Sequence, residues 1–232
     1  MIIGSGLLAR AFASLFAQRG DVLIYAAGVS NSACSDVREF ARERQRLSDS
    51  LENCQSRETF VYFGTCSVMD PEAIDTPYVQ HKLAMERLVA THPRYLILRL
   101  PQVAGKTPNP HTLLNYLYAR VSRSEEFSLW RYAKRNIIDV VDIVAITQCL
   151  LEDLTARNST VNVANPINHS MMNIVSAMEN VLGKRAIYTI LDRGSDYAIE
   201  TGKIQSLVDK INVKFGDDYI QRVIGTYYGN SN

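Results

Sequence analysis

Several things are scarce in this chain of 232 residues. Cysteine occurs four times, at Cys34, Cys54, Cys66 and Cys149, and no two form a C-x-x-C pair. A chain of this length needs no disulfide framework to build a core, so a reducing, cytoplasmic setting fits this usage. An excess of charge of one sign is also missing. Lys and Arg number 25 against 24 for Asp and Glu, a formal charge of +1. That balance removes the electrostatic support a nucleic-acid partner needs. No run approaches the roughly 18 uninterrupted apolar residues of a membrane span. "LLARAFASLFAQ" has small residues at its end, but no positive segment precedes it and Arg10 interrupts it, so it reads as a helix and not as a leader. The four histidines, His81, His92, His111 and His169, lack metal-ligand spacing, so no metal site is expected. Gly105-Lys106-Thr107 imitates the end of a phosphate-binding P-loop, but that motif needs a glycine where Leu100 stands.

What remains is ordinary globular composition, 47% hydrophobic and 21% charged. The length predicts one large domain, or a domain with a small lobe. The apolar start at Met1–Ile3 is a short strand, and a helix begins at Leu7 with Leu8, Phe12, Leu15 and Phe16 on one face. Gly20 ends it. "VLIYAA" (22–27) is a buried strand, 28–35 a small-residue loop, and 36–53 a charged helix. "TFVYF" (59–63) is a strand, 77–91 a helix, and "YLILRL" (95–100) a strand. Strands alternating with helices point to βαβ units and a parallel sheet. After Pro101 the texture changes. Helices are expected near 111–123, 142–153, 171–182 and 203–209, with strand-like pieces at 136–140 and 161–163. The expected organisation is a core over 1–105 and, over 106–232, a region that returns to the sheet and forms a small C-terminal lobe. The terminal "YYGNSN" is expected to fray. "REFARERQRL" mixes acids among its arginines and reads as a solvated helix face.

Three constellations can carry chemistry. Gly4-Ser5-Gly6-Leu7-Leu8-Ala9 is a G-x-G-x-x-A that follows a strand and opens a helix. Glycines there allow a tight turn and close approach to a pyrophosphate, and the helix N-terminus offers free N–H groups. Tyr78 and Lys82, four apart in "YVQHK", share one helix face. An ammonium beside a phenol lowers the phenol's pKa, so Tyr78 is expected to be acidified toward neutrality and to exchange a proton with a substrate oxygen. Thr65, beside Cys66 and Ser67, stands at the end of a parallel strand, facing the crevice where ligands bind.

In this order the three resemble the short-chain dehydrogenase/reductase superfamily, in its extended branch of nucleotide-sugar epimerases, dehydratases and reductases. "FVYFGTCSVMD", "PYVQHKLAMERLV", "YLILRLPQVAG", "KRNIIDVVDIV" and "VNVANP" are each similar to segments of that branch, and the resemblance runs from residue 1 to about 183. It implies a Rossmann-like sheet with helices on both faces. It also implies that Thr65, Tyr78 and Lys82 are catalytic. Gly4, Ser5, Gly6, Leu7, Leu8, Ala26, Ala27, Gly28, Lys82 and Pro101 would surround NAD or NADP. Ser67, Asn115 and Arg135 would meet a nucleotide-sugar substrate, and a homodimer is implied by the family's habit. One departure is large. Only about one helix separates Gly6 from the strand ending in Ala26-Ala27-Gly28, where the family places two more strands. The sheet is therefore expected to be about two strands short. No acidic residue stands at a strand end to read the adenosine ribose, so NAD and NADP both stay open. The implied activity is an oxidoreductase or epimerase of a nucleotide-linked sugar, serving a bacterial surface polysaccharide. A non-catalytic nucleotide-sensing or scaffold protein on a shortened fold is the alternative.

Overall fold

A computed structural model describes residues 1–229. The first half alternates strictly. β1 (Ile2–Ile3) leads to α1 (Leu7–Phe16), β2 (Val22–Tyr25) to α2 (Val37–Glu52), β3 (Thr59–Thr65) to α3 (Pro77–Val89), and β4 (Tyr95–Leu100) closes this half. Then come β5 (Gln102–Ala104), α4 (Leu113–Arg123), β6 (Phe127–Trp130), β7 (Lys134–Arg135), β8 (Ile137–Asp139) and α5 (Val140–Glu152). They are followed by β9 (Ser159–Asn162), β10 (His169–Ser170), α6 (Met171–Leu182), β11 (Tyr188–Leu191), α7 (Gly202–Ile211) and α8 (Tyr219–Tyr228).

The main sheet is parallel throughout, in the order β1-β2-β3-β4-β9. Parallel strands are covered on both faces, which is why Val22, Leu23, Ile24 and Tyr25 are all buried. One face holds Phe12 and Phe16 of α1, Ile143 and Ile146 of α5, and Ile204 and Val208 of α7. The other face packs Leu47 of α2 and Met85 and Val89 of α3 against Tyr25, Phe60 and Tyr62. Leu15, expected on the buried face of α1, is 52% exposed. β1 is an edge strand, hydrogen-bonded only to β2 among the described residues. The sheet is short on that side, as the spacing between Gly6 and β2 requires.

Pro101 has no N–H for a ladder and falls between β4 and β5, where the chain leaves the main sheet. A separate core gathers α4, α6 and α8 with Phe127 and Leu129 of β6. β6 pairs in parallel with β11, while β5 pairs with β8 and β7 with β10. The chain also returns to the main sheet, since β9 completes it beside β4 and α5 and α7 cover it.

Two expectations fail here. β6, β7, β10, β11 and α8 fall outside the elements expected from the residues, and the strands among them pair with segments far off in sequence. The terminal tyrosines are not frayed. Tyr227 donates from its hydroxyl to Asp139 at 2.6 Å, and Tyr228 donates to Asn115 at 2.6 Å. Both lie in α8, which is packed on the lobe. The remaining residues, 230–232, lie outside the described range.

Candidate active site

The glycine turn is built as its chemistry requires. Gly4 has φ +131°, and a Cβ there would lie 2.4 Å from the Ala26 carbonyl oxygen. The turn thus crosses the end of β2 at backbone contact, which only glycine allows. Gly6 differs: a Cβ there would meet nothing within 4 Å. Gly6 is the N-cap of α1 and offers no side-chain cap, whereas α2, α3, α4, α5 and α6 are capped by Asp36, Thr76, Thr112, Asp139 and Ser170. The α1 N–H groups therefore face open space.

That space is a cleft of about 450 Å³ across the C-terminal ends of the strands. Gly4, Ser5, Gly6, Leu7 and Leu8 line one wall, with Ala26, Ala27 and Gly28 beyond β2. Thr65, Ser67, Tyr78, Lys82 and Pro101 line the floor, and Arg135 stands on the lobe side. No Asp or Glu is among the lining residues, but Arg46, Lys82, His111 and Arg135 are. Asn115 is not brought to this cleft. Its amide nitrogen donates to the Thr107 and Asn109 carbonyls at 2.8 and 2.7 Å, and its oxygen accepts from Tyr228. It ties the loop before α4 to α8, a task its helical position did not disclose. Thr107, Asn109 and His111 of that loop reach the cleft instead.

Thr65 is the last residue of β3 and is buried. Its hydroxyl accepts from the Ser67 N–H at 3.1 Å, which fixes it at the strand end. Tyr78 and Lys82, on the buried face of α3, are 8% and 3% exposed, and the Lys82 nitrogen stands 6.0 Å from the Tyr78 ring centre. The expected acidification of Tyr78 does not occur in this geometry. Burial pushes its phenol above the ordinary value, the Glu43 carboxylate pushes the same way, and Thr65 opposes them. Lys82, moreover, is not a lone charge. It donates to Glu43 Oε1 at 3.1 Å and to the Tyr62 hydroxyl at 3.2 Å. Burial pulls the Lys82 ammonium down, and Glu43 counters it.

Glu43 was hidden in the charged helix read as solvated, yet it is 3% exposed. Besides Lys82, its carboxylate accepts from the Val29 N–H at 2.6 Å and the Tyr62 hydroxyl at 2.9 Å, and it meets His81 Nε2 at 3.1 Å. A carboxylate only accepts, so His81 Nε2 carries the hydrogen. Burial alone would raise this carboxyl; the His81 hydrogen bond, the Lys82 charge and the Val29 N–H outweigh it and hold the value down to about 2. Gly28 makes room for the cluster, since a Cβ there would lie 2.6 Å from Lys82 Nζ and 2.8 Å from Glu43 Oε1. One available signal was the helical period: Glu43 and Leu47, four apart, are both buried.

Residues 7–164 match the model of the NAD dependent epimerase/dehydratase family. The chain belongs to that family. This places it among enzymes of the short-chain dehydrogenase/reductase type. No curated protein matches it. Solved structures share its fold at low identity. RMD from Pseudomonas aeruginosa, complexed with NADPH, aligns with TM-score 0.70 at 17% identity, over 97% of this chain and 88% of that one. UDP-glucuronic acid 4-epimerase from Bacillus cereus, in complex with NAD, aligns with TM-score 0.68 at 17% identity, over 95% and 78%. UDP-N-acetylglucosamine 4-epimerase from Methanobrevibacter ruminantium M1, in complex with UDP-N-acetylmuramic acid, aligns with TM-score 0.69 at 17% identity, over 89% and 75%.

The family's nicotinamide dinucleotide fits the residues present. The uncapped α1 terminus and the open side of Gly6 suit a pyrophosphate. Lys82 has three N–H donors and gives two to Glu43 and Tyr62, so one remains for a ribose hydroxyl. No helix among the described residues is long and apolar enough to cross a membrane.

Proposed function

We propose that this family member is an NAD(P)-dependent oxidoreductase or epimerase acting on a nucleotide-linked sugar, in the cytoplasm, in the making of a bacterial surface polysaccharide. The observation that carries the proposal is convergence. A G-x-G turn, a strand-end hydroxyl and a Tyr-x-x-x-Lys pair, far apart in sequence, line one cleft. A bound nicotinamide supplies or takes up hydride at the substrate carbon. Tyr78 exchanges the proton of the reacting oxygen, and Thr65 orients that oxygen by hydrogen bonding. Lys82 holds Tyr78's surroundings and a ribose hydroxyl. Arg135 brings a planar guanidinium to the lobe side of the cleft, where it suits a substrate diphosphate. The absence of lining carboxylates suits both phosphate-bearing ligands. Neighbours solved with NAD, NADPH and a UDP-sugar support the ligand classes.

The test is calorimetric titration with NAD(H) and NADP(H), then turnover on a panel of UDP-, dTDP- and GDP-sugars. Tyr78→Phe is expected to lower kcat by about 10²-fold or more, the usual range for a lost acid/base group, with cofactor affinity retained. Unchanged turnover removes Tyr78 from the chemistry. Ligand binding without turnover on any sugar favours a sensing or scaffold role.

A further inference from the structure

The loop between β5 and α4, residues 105–112, borders the cleft as a strap tied down at both ends. On the core side, Gly105 packs so closely on Leu7, the first residue of α1, that a Cβ there would lie 2.7 Å from Leu7 Cδ1. Arg10 of α1 donates to the Ser5 carbonyl at 2.9 Å and to the Lys106 carbonyl at 3.4 Å, which links the strap to the glycine turn. On the lobe side, Asn115 donates from its amide to the Thr107 and Asn109 carbonyls, and its oxygen accepts from the Tyr228 hydroxyl. The two strap carbonyls need donors, so the amide keeps its NH2 toward them and its oxygen toward Tyr228. Pro108 and Pro110 stiffen the span between. What the strap offers the cleft follows from its own hydrogen bonds. Thr107 Oγ1 accepts from the Asn109 N–H at 3.3 Å, and Asn109 Oδ1 accepts from the His111 N–H at 3.0 Å. These bonds engage the side-chain oxygens. Among the described residues, the Thr107 hydroxyl and the Asn109 amide nitrogen donate to no protein atom, and both residues line the cleft. Donors turned toward a cleft without lining carboxylates suit a ligand that only accepts, as phosphate oxygens do.

We propose that this strap is a diphosphate-binding wall, in which Thr107 and Asn109 donate to phosphate oxygens while Asn115 and Tyr228 are positioning residues that hold those donors in place from α4 and α8. The inference rests on the nucleotide-sugar reading above and extends it to residues outside the glycine turn, the Tyr-Lys pair and Arg135. Both ligands of that reading carry a diphosphate, the dinucleotide between its two halves and the nucleotide sugar between nucleoside and sugar. The strap runs from the N-terminus of α1 to the lobe, so it borders the place of each. Its anchoring matters because a loop that must be ordered at every binding event gives up affinity to that ordering, whereas a loop held beforehand does not. Tyr228 thus acts on the ligand without touching it: its phenol fixes the Asn115 amide, the amide fixes two strap carbonyls, and those fix the donors beside them.

The test is calorimetric titration of the full chain with NADPH and, separately, with UDP, GDP and dTDP. Asn109→Asp keeps the oxygen that the His111 N–H needs and replaces the cleft-facing NH2 by a second, negatively charged oxygen. It is expected to weaken NADPH, the nucleoside diphosphates or both by about tenfold or more, through like-charge repulsion, and by less in high salt. The ligand that loses affinity is the one whose diphosphate meets the strap. Tyr228→Phe removes the clamp and no ligand contact. It is expected to weaken that same ligand by about three- to tenfold, the usual range for one lost neutral hydrogen bond, and to add little further in the Asn109→Asp background. A merely structural loss would instead multiply with the effect of Asn109→Asp. Natural affinity of Asn109→Asp for every probe, or full additivity of the two substitutions, overturns the proposal. If Asn109→Asp does not fold, Thr107→Val decides, with an expected loss of about threefold or more and an unchanged affinity as the refuting result. A natural chain that binds neither NADPH nor any of the diphosphates sinks the wider reading of the site together with the strap. A natural chain that binds them, with the strap variants binding equally well, sinks the strap alone.

Discussion

The two glycines of the G-x-G turn are predicted to fail in opposite ways when changed to alanine. Gly4 sits at φ +131°, where an L residue is strained by about 1–3 kcal/mol. Its new methyl would also lie 2.4 Å from the Ala26 carbonyl oxygen and 2.7 Å from the Ala26 carbonyl carbon. Backbone cannot swing aside as a side-chain tip does, so overpacking adds about 1–3 kcal/mol. Gly4→Ala is therefore expected to cost about 2–6 kcal/mol of stability. Gly6 has φ −75° and ψ −167°, which alanine adopts freely, and its methyl would meet nothing. The stiffer unfolded chain favours Gly6→Ala by about 0.4–1 kcal/mol. Alanine's poorer performance as an N-cap costs a similar amount. The two offset, and stability should stay within about 1 kcal/mol of the natural chain. Yet that methyl occupies the space before the α1 N-terminus, so NADPH and NADH affinity should fall by tenfold or more. Urea unfolding without ligand, paired with calorimetric titration, measures both. A Gly6→Ala protein that binds the cofactor normally would show that the pyrophosphate does not sit at this turn. A Gly4→Ala protein as stable as its parent would refute the backbone argument.

The remaining predictions concern charge and the lobe. Glu43 is held down to about 2 from an ordinary 4.5, so its stabilisation is full above the unfolded value and is lost as pH falls toward about 2. Acid unfolding followed by circular dichroism should therefore steepen below about pH 4.5, by an order of magnitude of 3 kcal/mol in all, and Glu43→Gln should flatten that slope. An unchanged slope would mean Glu43 is not the titrating group. Tyr219 donates to Asp142 at 2.6 Å and accepts from the Asp139 N–H at 2.8 Å, clamping α8 to the start of α5. Tyr219→Phe should destabilise by about 1–3 kcal/mol in thermal unfolding, because it strands buried partners. Arg46 lines the cleft and no lining carboxylate stands ready for a ribose 2′-hydroxyl, so NADPH should bind more tightly than NADH. Arg46→Ala should erase about tenfold of that difference by titration, and an unaltered ratio would put the adenosine phosphate elsewhere.

Much of the fold was legible in the residues because its signals are local. Buried parallel strands are short apolar runs such as "VLIY" and "YLILRL", and the helices between them announce themselves by spacing and caps. The shortening was legible too, since one helix between Gly6 and β2 leaves no chain for two more strands. The residues of the cleft came from the same logic: a glycine turn at a strand-to-helix junction, Thr65 at a strand end, Tyr78 and Lys82 four apart. What pairs across distance was not legible. β6 finds β11 only through the fold, and the terminal tyrosines find Asp139 and Asn115 the same way. Glu43 is the sharpest case. In a helix rich in Arg and Glu the four-residue spacing of Glu43 from Leu47 marks the inward face, but not what that acid meets there, because that depends on what lies opposite. Only when α2 settles against α3 and β3 does this carboxylate meet Lys82, Tyr62 and His81. Sequence alone marked the glycine turn, Thr65, Tyr78, Lys82 and Arg135 for the cleft, but tertiary packing kept Asn115 out of it, brought Thr107, Asn109, His111 and Arg46 in, and set the charged surroundings of Lys82, since a buried site is set by neighbours within a few ångströms and not by neighbours along the chain.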